Sequence, residues 1–282
     1  MKPAFSTVAL PAWTLPRIAE RADAWGFLGV EFRTFGHGSS AIAGDPALTS
    51  PAKVRSLFAK SGVRFVSLAT SIRYDEPITP PLLGQLFDTE RSVRETTGAV
   101  DLAVQLECPL VRVFAFEVIG NESRTNALGR ITRRLAKAID HCDKSGVRLV
   151  LENGGSFNRA ADLAEIIDLV DSPLLGVAYN LAVGVRAGDV PADAVNVLGD
   201  RLLTVKVRDF KDGVPCALGE GDLDCRRHVA DLARAGYTGW LVHEYDGAWF
   251  PGSPDADAVL ARSARTLFEW ASPASRPATS AR

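Results

Sequence analysis

A chain of 282 residues with 46% hydrophobic composition and a mean hydropathy of +0.05 carries enough apolar material for one large core. Its 32 basic and 34 acidic side chains leave a formal charge of -2, which offers no field of one sign to a nucleic acid or an anionic membrane, so neither is expected as a partner. Cys108, Cys142, Cys216 and Cys225 form no C-x-x-C pair, which speaks against a structural zinc or redox motif and predicts free thiols.

The opening stretch MKPAFSTVALPAWTLPR is broken by three prolines, so it does not read as a signal peptide, and a cytoplasmic location is expected. No apolar run reaches the roughly eighteen residues a membrane helix needs. Short β-rich runs then alternate with stretches of helical period. The runs are AFSTVA near residue 5, LGVEFR ending at Arg33, RFVSLAT from Arg64, LVRVFAF from Leu110, VRLVLE ending at Glu152, LLGVAYN ending at Asn180, LLTVKVRD ending at Asp209 and GWLVHE ending at Glu244. Eight strands separated by helices predict a single-domain (β/α)8 TIM barrel over residues 1–271.

Among the helices, LPRIAERADAW follows the first strand and ALGRITRRLAKAIDHCDKSG follows the fourth. Gly62, Gly146 and Gly236 each close a helical segment just ahead of a strand, a local echo of one repeated β-α unit. An open doubly wound sheet would also alternate strands and helices, but it calls for a glycine-rich phosphate loop after the first strand, and VALPAWTLP is not one. Residues 272–282, small, polar and proline-containing, are expected to be a disordered tail.

Barrel enzymes carry chemistry at the C-terminal ends of their strands, so polar residues that close apolar runs are the informative ones. They are Glu31, Arg33, Arg112, Glu152, Asn180, Lys206, Arg208 and Glu244. Alternation along each strand puts Glu152, Asn180, Lys206, Arg208 and Glu244 on the inward face with Val150, Ala178, Thr204 and Val242, and turns Leu151, Tyr179, Val205, Val207 and His243 toward the helices. Lys206 is one of only seven lysines, and mid-strand and inward it needs a charge partner; the alternative is an ammonium that snorkels to the rim. Arg112 reads equally as a structural ion-pair partner inside the barrel or as a site residue. His37 reads as a surface residue, His141 and His228 fall in helices, and none of the histidines is a strong catalytic candidate.

GVEFR, the VLENGG around Glu152, VKVRDF followed by LGEGDLD, and the WLVHEYD around Glu244 resemble the sugar phosphate isomerase/epimerase group, the xylose isomerase-like TIM barrels, over about residues 5–270. The resemblance implies a divalent metal (Mn, Mg or Zn) held by glutamate, aspartate, histidine and glutamate on strands five to eight, the two glutamates serving as acid and base. The glutamates fall on Glu152 and Glu244. The aspartate position reads Asn180, the histidine position reads Lys206, and a further family histidine falls on Val183. A protonated lysine has no lone pair for a metal. The expectation is therefore no cofactor, with Glu152, Asn180 and Glu244 as the ligands if a metal binds after all.

Two carboxylates and one ammonium carry the same net charge as three carboxylates and one dication, so Lys206 can replace the metal. At about 4 Å and an effective dielectric near 20, each Lys–Glu contact contributes on the order of 4 kcal/mol before desolvation. Such neighbours keep the amine charged, which argues against a Schiff base and for a fixed cation beside a carbonyl. The expected activity is isomerisation or epimerisation of a sugar-like or hydroxy-carbonyl substrate, Glu152 or Glu244 moving the proton, with Arg33 and Arg208 placed to hold a phosphate or carboxylate. Asn180, Glu31 and Arg112 are the other candidate substrate contacts. A dehydratase or other lyase and a ligand-binding barrel without activity are the competing readings. An abasic-site endonuclease would need a histidine-rich zinc cluster and a basic groove. The resemblance also implies a homo-oligomer.

Overall fold

Runs rich in Val, Leu, Phe and other apolar residues form eight parallel strands: β1 (Lys2–Ser6), β2 (Gly29–Phe35), β3 (Arg64–Arg73), β4 (Leu110–Phe114), β5 (Arg148–Glu152), β6 (Leu175–Asn180), β7 (Leu202–Val207) and β8 (Trp240–His243). Each pairs with the next in chain order, and β1 pairs with both β2 and β8. That last pairing closes the barrel and removes the open sheet as an alternative. The computed structural model describes residues 1–35, 41–42, 50–77 and 90–272. His37 and residues 273–282 of the expected tail lie outside them.

Helices α1 (Leu15–Trp25), α2 (Pro51–Ser61), α3 (Arg91–Leu106), α4 (Arg124–Asp140), α5 (Ala160–Val170), α6 (Pro191–Leu198), α7 (Cys225–Arg234) and α8 (Ala256–Ala271) surround the strands. Their starts follow local chemistry. Ser123, Asp224 and Asp255 accept backbone N–H groups of Asn126, Arg227 and Ala258 at the starts of α4, α7 and α8, satisfying donors that the first turn leaves open. Gly62 and Gly236 turn the chain from helix toward strand with left-handed φ of 70° and 89°, which glycine adopts without steric cost.

The strand ends differ from the apolar runs: β1 and β7 stop at Ser6 and Val207, short of their runs, β2 and β3 continue to Phe35 and Arg73, and β4 and β8 stop short beside the site. β4 stops at Phe114, two residues before the run LVRVFAF ends, and Phe116 takes a φ of 77°. β8 stops at His243, although the Glu244 N–H still donates to the Val207 carbonyl at 3.1 Å. The ladder bond therefore outlasts the strand and fixes the Glu244 backbone against β7.

Ala4, Val66 and Val242 with Trp240, and Leu110, Val150 and Ala178 with Leu203, form two small clusters distinct from the main core. Leu151, Tyr179, Val205 and Val207 belong to the main core between strands and helices. At Gly29 a Cβ would come within 2.6 Å of the Trp240 ring and 2.7 Å of Val66, so only glycine lets Trp240 pack there. Buried His243 lies beside Tyr245, ring centroids 6.3 Å apart. All four cysteines are buried and free. No described helix is long and apolar enough to cross a membrane.

Candidate active site

At the C-terminal end of the barrel the strands deliver a charged layer. Lys206 of β7 is fully buried, its ammonium 3.0 Å from Glu31, 3.0 Å from Glu152 and 2.6 Å from Glu244. These carboxylates come from β2, β5 and the residue after β8, so one side chain ties together elements far apart in sequence. Arg112 of β4 donates to Glu152 at 2.7 Å. Arg208 lies 3.2 Å from Glu244 and also bonds Asp246. Asn180 donates its amide to the other Glu152 oxygen at 3.0 Å, and Ser67 donates to Glu31 at 2.9 Å.

The charge count differs from that of the expected lysine and two glutamates. Glu31 is a third carboxylate on Lys206, and Arg112, Arg208, Arg33 and Asp246 complete a set of four cations and four carboxylates. At about 3 Å and an effective dielectric near 20, each contact contributes on the order of 5 kcal/mol of attraction. Desolvation costs several kcal/mol per ion, so the cluster stands only because Lys206, Arg112 and Arg208 pair so closely with its carboxylates.

Above this layer opens a cavity of about 510 Å³. Its wall holds Glu152, Glu244, Asp246, Asn153, Asn180 and the guanidinium-bearing Arg33, Arg112 and Arg208, with Phe35, Phe114, Phe116, Trp249 and Phe250 as the apolar side. Lys206 and Glu31 do not line it. Both are fully buried, so in this arrangement Lys206 acts on the carboxylates and reaches a ligand only through them. A larger cavity of about 820 Å³ is lined by Lys2, Arg148, Tyr237 and Trp240 among others, and among the described residues Asp200 is the one carboxylate in its wall. It belongs to the N-terminal face, where barrels carry stability in place of chemistry.

Burial and Arg112 both press on the Lys206 ammonium, yet Glu152, Glu244 and Glu31 together outweigh them and hold its pKa above the ordinary lysine value. Burial likewise disfavours ionised Glu244, but Lys206, Arg208 and Arg112 reverse this and hold its carboxyl well below the usual carboxylate range. Arg112 loses to burial and gains more from Glu152, Glu31 and Glu244, so its pKa rises. Arg33 is the exception. Burial and then Arg112 lower it to about 10, and the more distant carboxylates do not restore it.

The divalent metal implied by the resemblance does not fit these residues. Lys206 occupies the position of one ligand with a charged ammonium. Both Glu152 oxygens are taken, one by Asn180 and the other by Arg112 and Lys206, and Glu244 is shared between Lys206 and Arg208. Among the described residues, no group of three or more His, Cys, Asp and Glu is disposed to hold a metal ion.

Several residues that shape the site are absent from the sequence-derived candidates. Asn153 accepts the Asn180 N–H at 2.6 Å and donates to the Asn180 carbonyl at 3.1 Å, locking β6 to the end of β5. Asp209 accepts N–H groups of Gly219, Gly221 and Leu223 at 2.9, 3.1 and 3.3 Å. The turn LGEGDLD is thereby wrapped around a buried carboxylate. Asp246, two residues beyond Glu244, continues the inward alternation of β8, a signal present in WLVHEYD. Phe116 closes the run LVRVFAF past the end of β4, in step with Arg112 and Phe114 on the same wall, whereas Trp249 lies past β8, where no periodicity marks it.

The family described as xylose isomerase-like TIM barrel matches residues 19–270. No curated protein matches the sequence. Among solved structures, a xylose isomerase-like TIM barrel/4-hydroxyphenylpyruvate dioxygenase fusion protein is 24% identical with a TM-score of 0.74, covering 96% of this chain; the chain spans only 42% of that protein. An L-ribulose 3-epimerase is 18% identical with a TM-score of 0.75, covering 98% of this chain and 99% of its own. A D-allulose 3-epimerase from Methylomonas sp. is 16% identical with a TM-score of 0.74, covering 96% and 98%. At these identities the likeness concerns the fold.

Proposed function

We propose that this chain, which belongs to the xylose isomerase-like TIM barrel family, is an isomerase or epimerase that moves a proton at a carbon next to a carbonyl of a small hydroxylated substrate, without a metal. The observation that carries the reading is that Glu152 and Glu244 line one cavity together with Arg112 and Arg208. A base and a cation on the same wall are what enolisation needs.

Glu244 is ionised in the resting site and accepts the proton. The C–H bond breaks, its electron pair forms the carbon–carbon double bond of an enolate, and the carbonyl electrons move to oxygen. Arg112 or Arg208, both on the wall, offers N–H groups to that oxygen. Lys206 below keeps three carboxylates from repelling one another and takes over the neutralising work of a dication. Transfer of the adjacent hydroxyl proton to the enolate oxygen, followed by return of the carbon-bound proton from Glu244 to the former carbonyl carbon, isomerises the substrate; epimerisation instead needs Glu152 to enter the cycle protonated and to deliver its own proton to the opposite face, Glu244 keeping the one it removed. A carboxylate of strongly lowered pKa is a weak base, so Glu244 gains basicity only as substrate weakens its contacts with Lys206 and Arg208.

Incubation of ketopentoses, ketohexoses and hydroxylated keto acids with the protein in deuterated water, followed by proton NMR, tests this. Exchange next to the carbonyl with every hydroxyl retained is the expected result, unchanged by a chelator. Loss of a hydroxyl would make the protein a lyase, and activity abolished by chelation and restored by manganese would overturn the metal-free mechanism.

A further inference from the structure

Three of the four cations of the site are committed to carboxylates. Lys206 holds Glu31, Glu152 and Glu244, Arg112 holds Glu152, and Arg208 holds Glu244 and Asp246. Arg33 forms no ion pair among the described residues, although it lines the same cavity. Its guanidinium is held in place by neutral groups: Nη1 donates to the carbonyls of Thr34 at 3.0 Å and Ala69 at 2.7 Å, and Nη2 donates to Ser71. Five N–H donors less these three leave Nε and one Nη2 proton that no described residue takes. The guanidinium also lies 5.0 Å from the centre of the Phe35 ring, which stacks in turn against Trp249 at 6.1 Å.

A guanidinium fixed in place, partly buried and without a directly bonded carboxylate among the described residues is an unfavourable arrangement. Burial has already lowered its pKa to about 10, and it remains charged at neutral pH. A directly bonded anion of a ligand relieves it further. One unpaired cation matches one negative charge, and two remaining donors match the two oxygens of a planar carboxylate. A phosphate dianion would need a second free cation, which the described residues of the cavity wall do not offer.

We infer that the substrate of this site is a hydroxylated carboxylic acid whose carboxylate is bound by Arg33 against the Phe35–Trp249 wall, while the carbonyl end faces Glu152 and Glu244. The inference rests on the proton-transfer reading for what happens at the carbonyl end, but the anion subsite is tested by binding alone. Three probes of one ring size separate the sources of charge: D-glucuronate, D-glucose and D-glucose 6-phosphate, each titrated by calorimetry or saturation-transfer NMR. Glucuronate is expected to bind at least about tenfold more tightly than glucose, the advantage disappearing in Arg33→Met and returning in part in Arg33→Lys, with both variants keeping the wild-type circular dichroism spectrum. Equal binding of glucuronate and glucose, or an advantage that survives Arg33→Met, overturns the inference. Tighter binding of glucose 6-phosphate than of glucuronate also overturns it, in favour of a phosphate. If the carboxylate preference holds but no substrate exchanges deuterium, the proton-transfer reading fails and the subsite stands.

Discussion

The Lys206 ammonium donates to a Glu244 carboxylate oxygen at 2.6 Å, joining adjacent strands at the point where the resemblance places a metal between a histidine and a glutamate. The side chain that removes a ligand supplies the charge the metal would have carried. Restoring the missing ligands should therefore restore a metal site: the double variant Lys206→His, Asn180→Asp is expected to bind manganese or zinc stoichiometrically by elemental analysis after dialysis, while the parent protein retains none. A parent protein that holds a full equivalent of metal would contradict the substitution of ion by ammonium.

Removing the ammonium alone should be far more damaging than removing a surface charge. Lys206→Met leaves Glu31, Glu152 and Glu244 facing one another in a buried layer, and breaking such a pair costs about 3–5 kcal/mol. Urea denaturation should show that loss. Adding Glu31→Gln to Lys206→Met, which deletes the one carboxylate of the three that does not line the cavity, should recover part of it. Strict additivity of the two changes would mean that the 3.0 Å contact between them contributes no coupling.

Proton transfer by the two wall carboxylates sets a second expectation. Glu244→Gln and Glu152→Gln keep the shape of each side chain, and each should lower turnover about 10²–10⁴-fold with the fold retained. Because Glu244 pairs with both Lys206 and Arg208, its replacement should also weaken stability at neutral pH. Ionised Glu244 is favoured by folding, so its contribution is present above the unfolded carboxyl value of about 4.3 and is lost as pH falls through the lower folded value. Stability measured by denaturant titration should fall below about pH 4, and less steeply in Glu244→Gln.

The barrel and the polar residues that close its strands were legible because both rest on local signals: alternation of two residues along a strand and a glycine at the end of a helix. Lys206, Glu152 and Glu244 sit in apolar runs, and a charge there is conspicuous. The role of Glu31 was not legible, since it depends on barrel closure, which brings β2 across the lumen from β7 and leaves Glu31 under the cavity and not on its wall. Arg112 and Arg208 could be placed but not paired, because the partner of a long side chain depends on rotamers and neighbours from other strands. Asp209 was visible as a strand-ending acid, yet three of its four backbone donors come from a loop whose path no periodicity encodes. The aromatic wall is the least readable part, contributed largely by Phe116, Trp249 and Phe250 in segments beyond the strands.

His243 supplies the last expectation, independent of catalysis. Its imidazole is fully buried toward the helix layer, with Nδ1 3.3 Å from the Val207 carbonyl and Nε2 without a partner among the described residues. Burial lowers its pKa to about 4, an effect that the Val207 carbonyl and Glu244 only partly offset. Folding therefore demands the neutral ring. Between an unfolded value of about 6.5 and a folded value of about 4 the unfolded chain binds the extra proton, so stability falls with falling pH across that window and the loss levels off below it. The shift corresponds to about 3 kcal/mol at its full extent. Denaturant titrations between pH 7 and 4.5 should show this slope in the parent protein and a much flatter line in His243→Phe, whose ring cannot titrate. A slope that persists unchanged in the variant would assign the pH dependence to other groups and show that His243 is protonated within the fold.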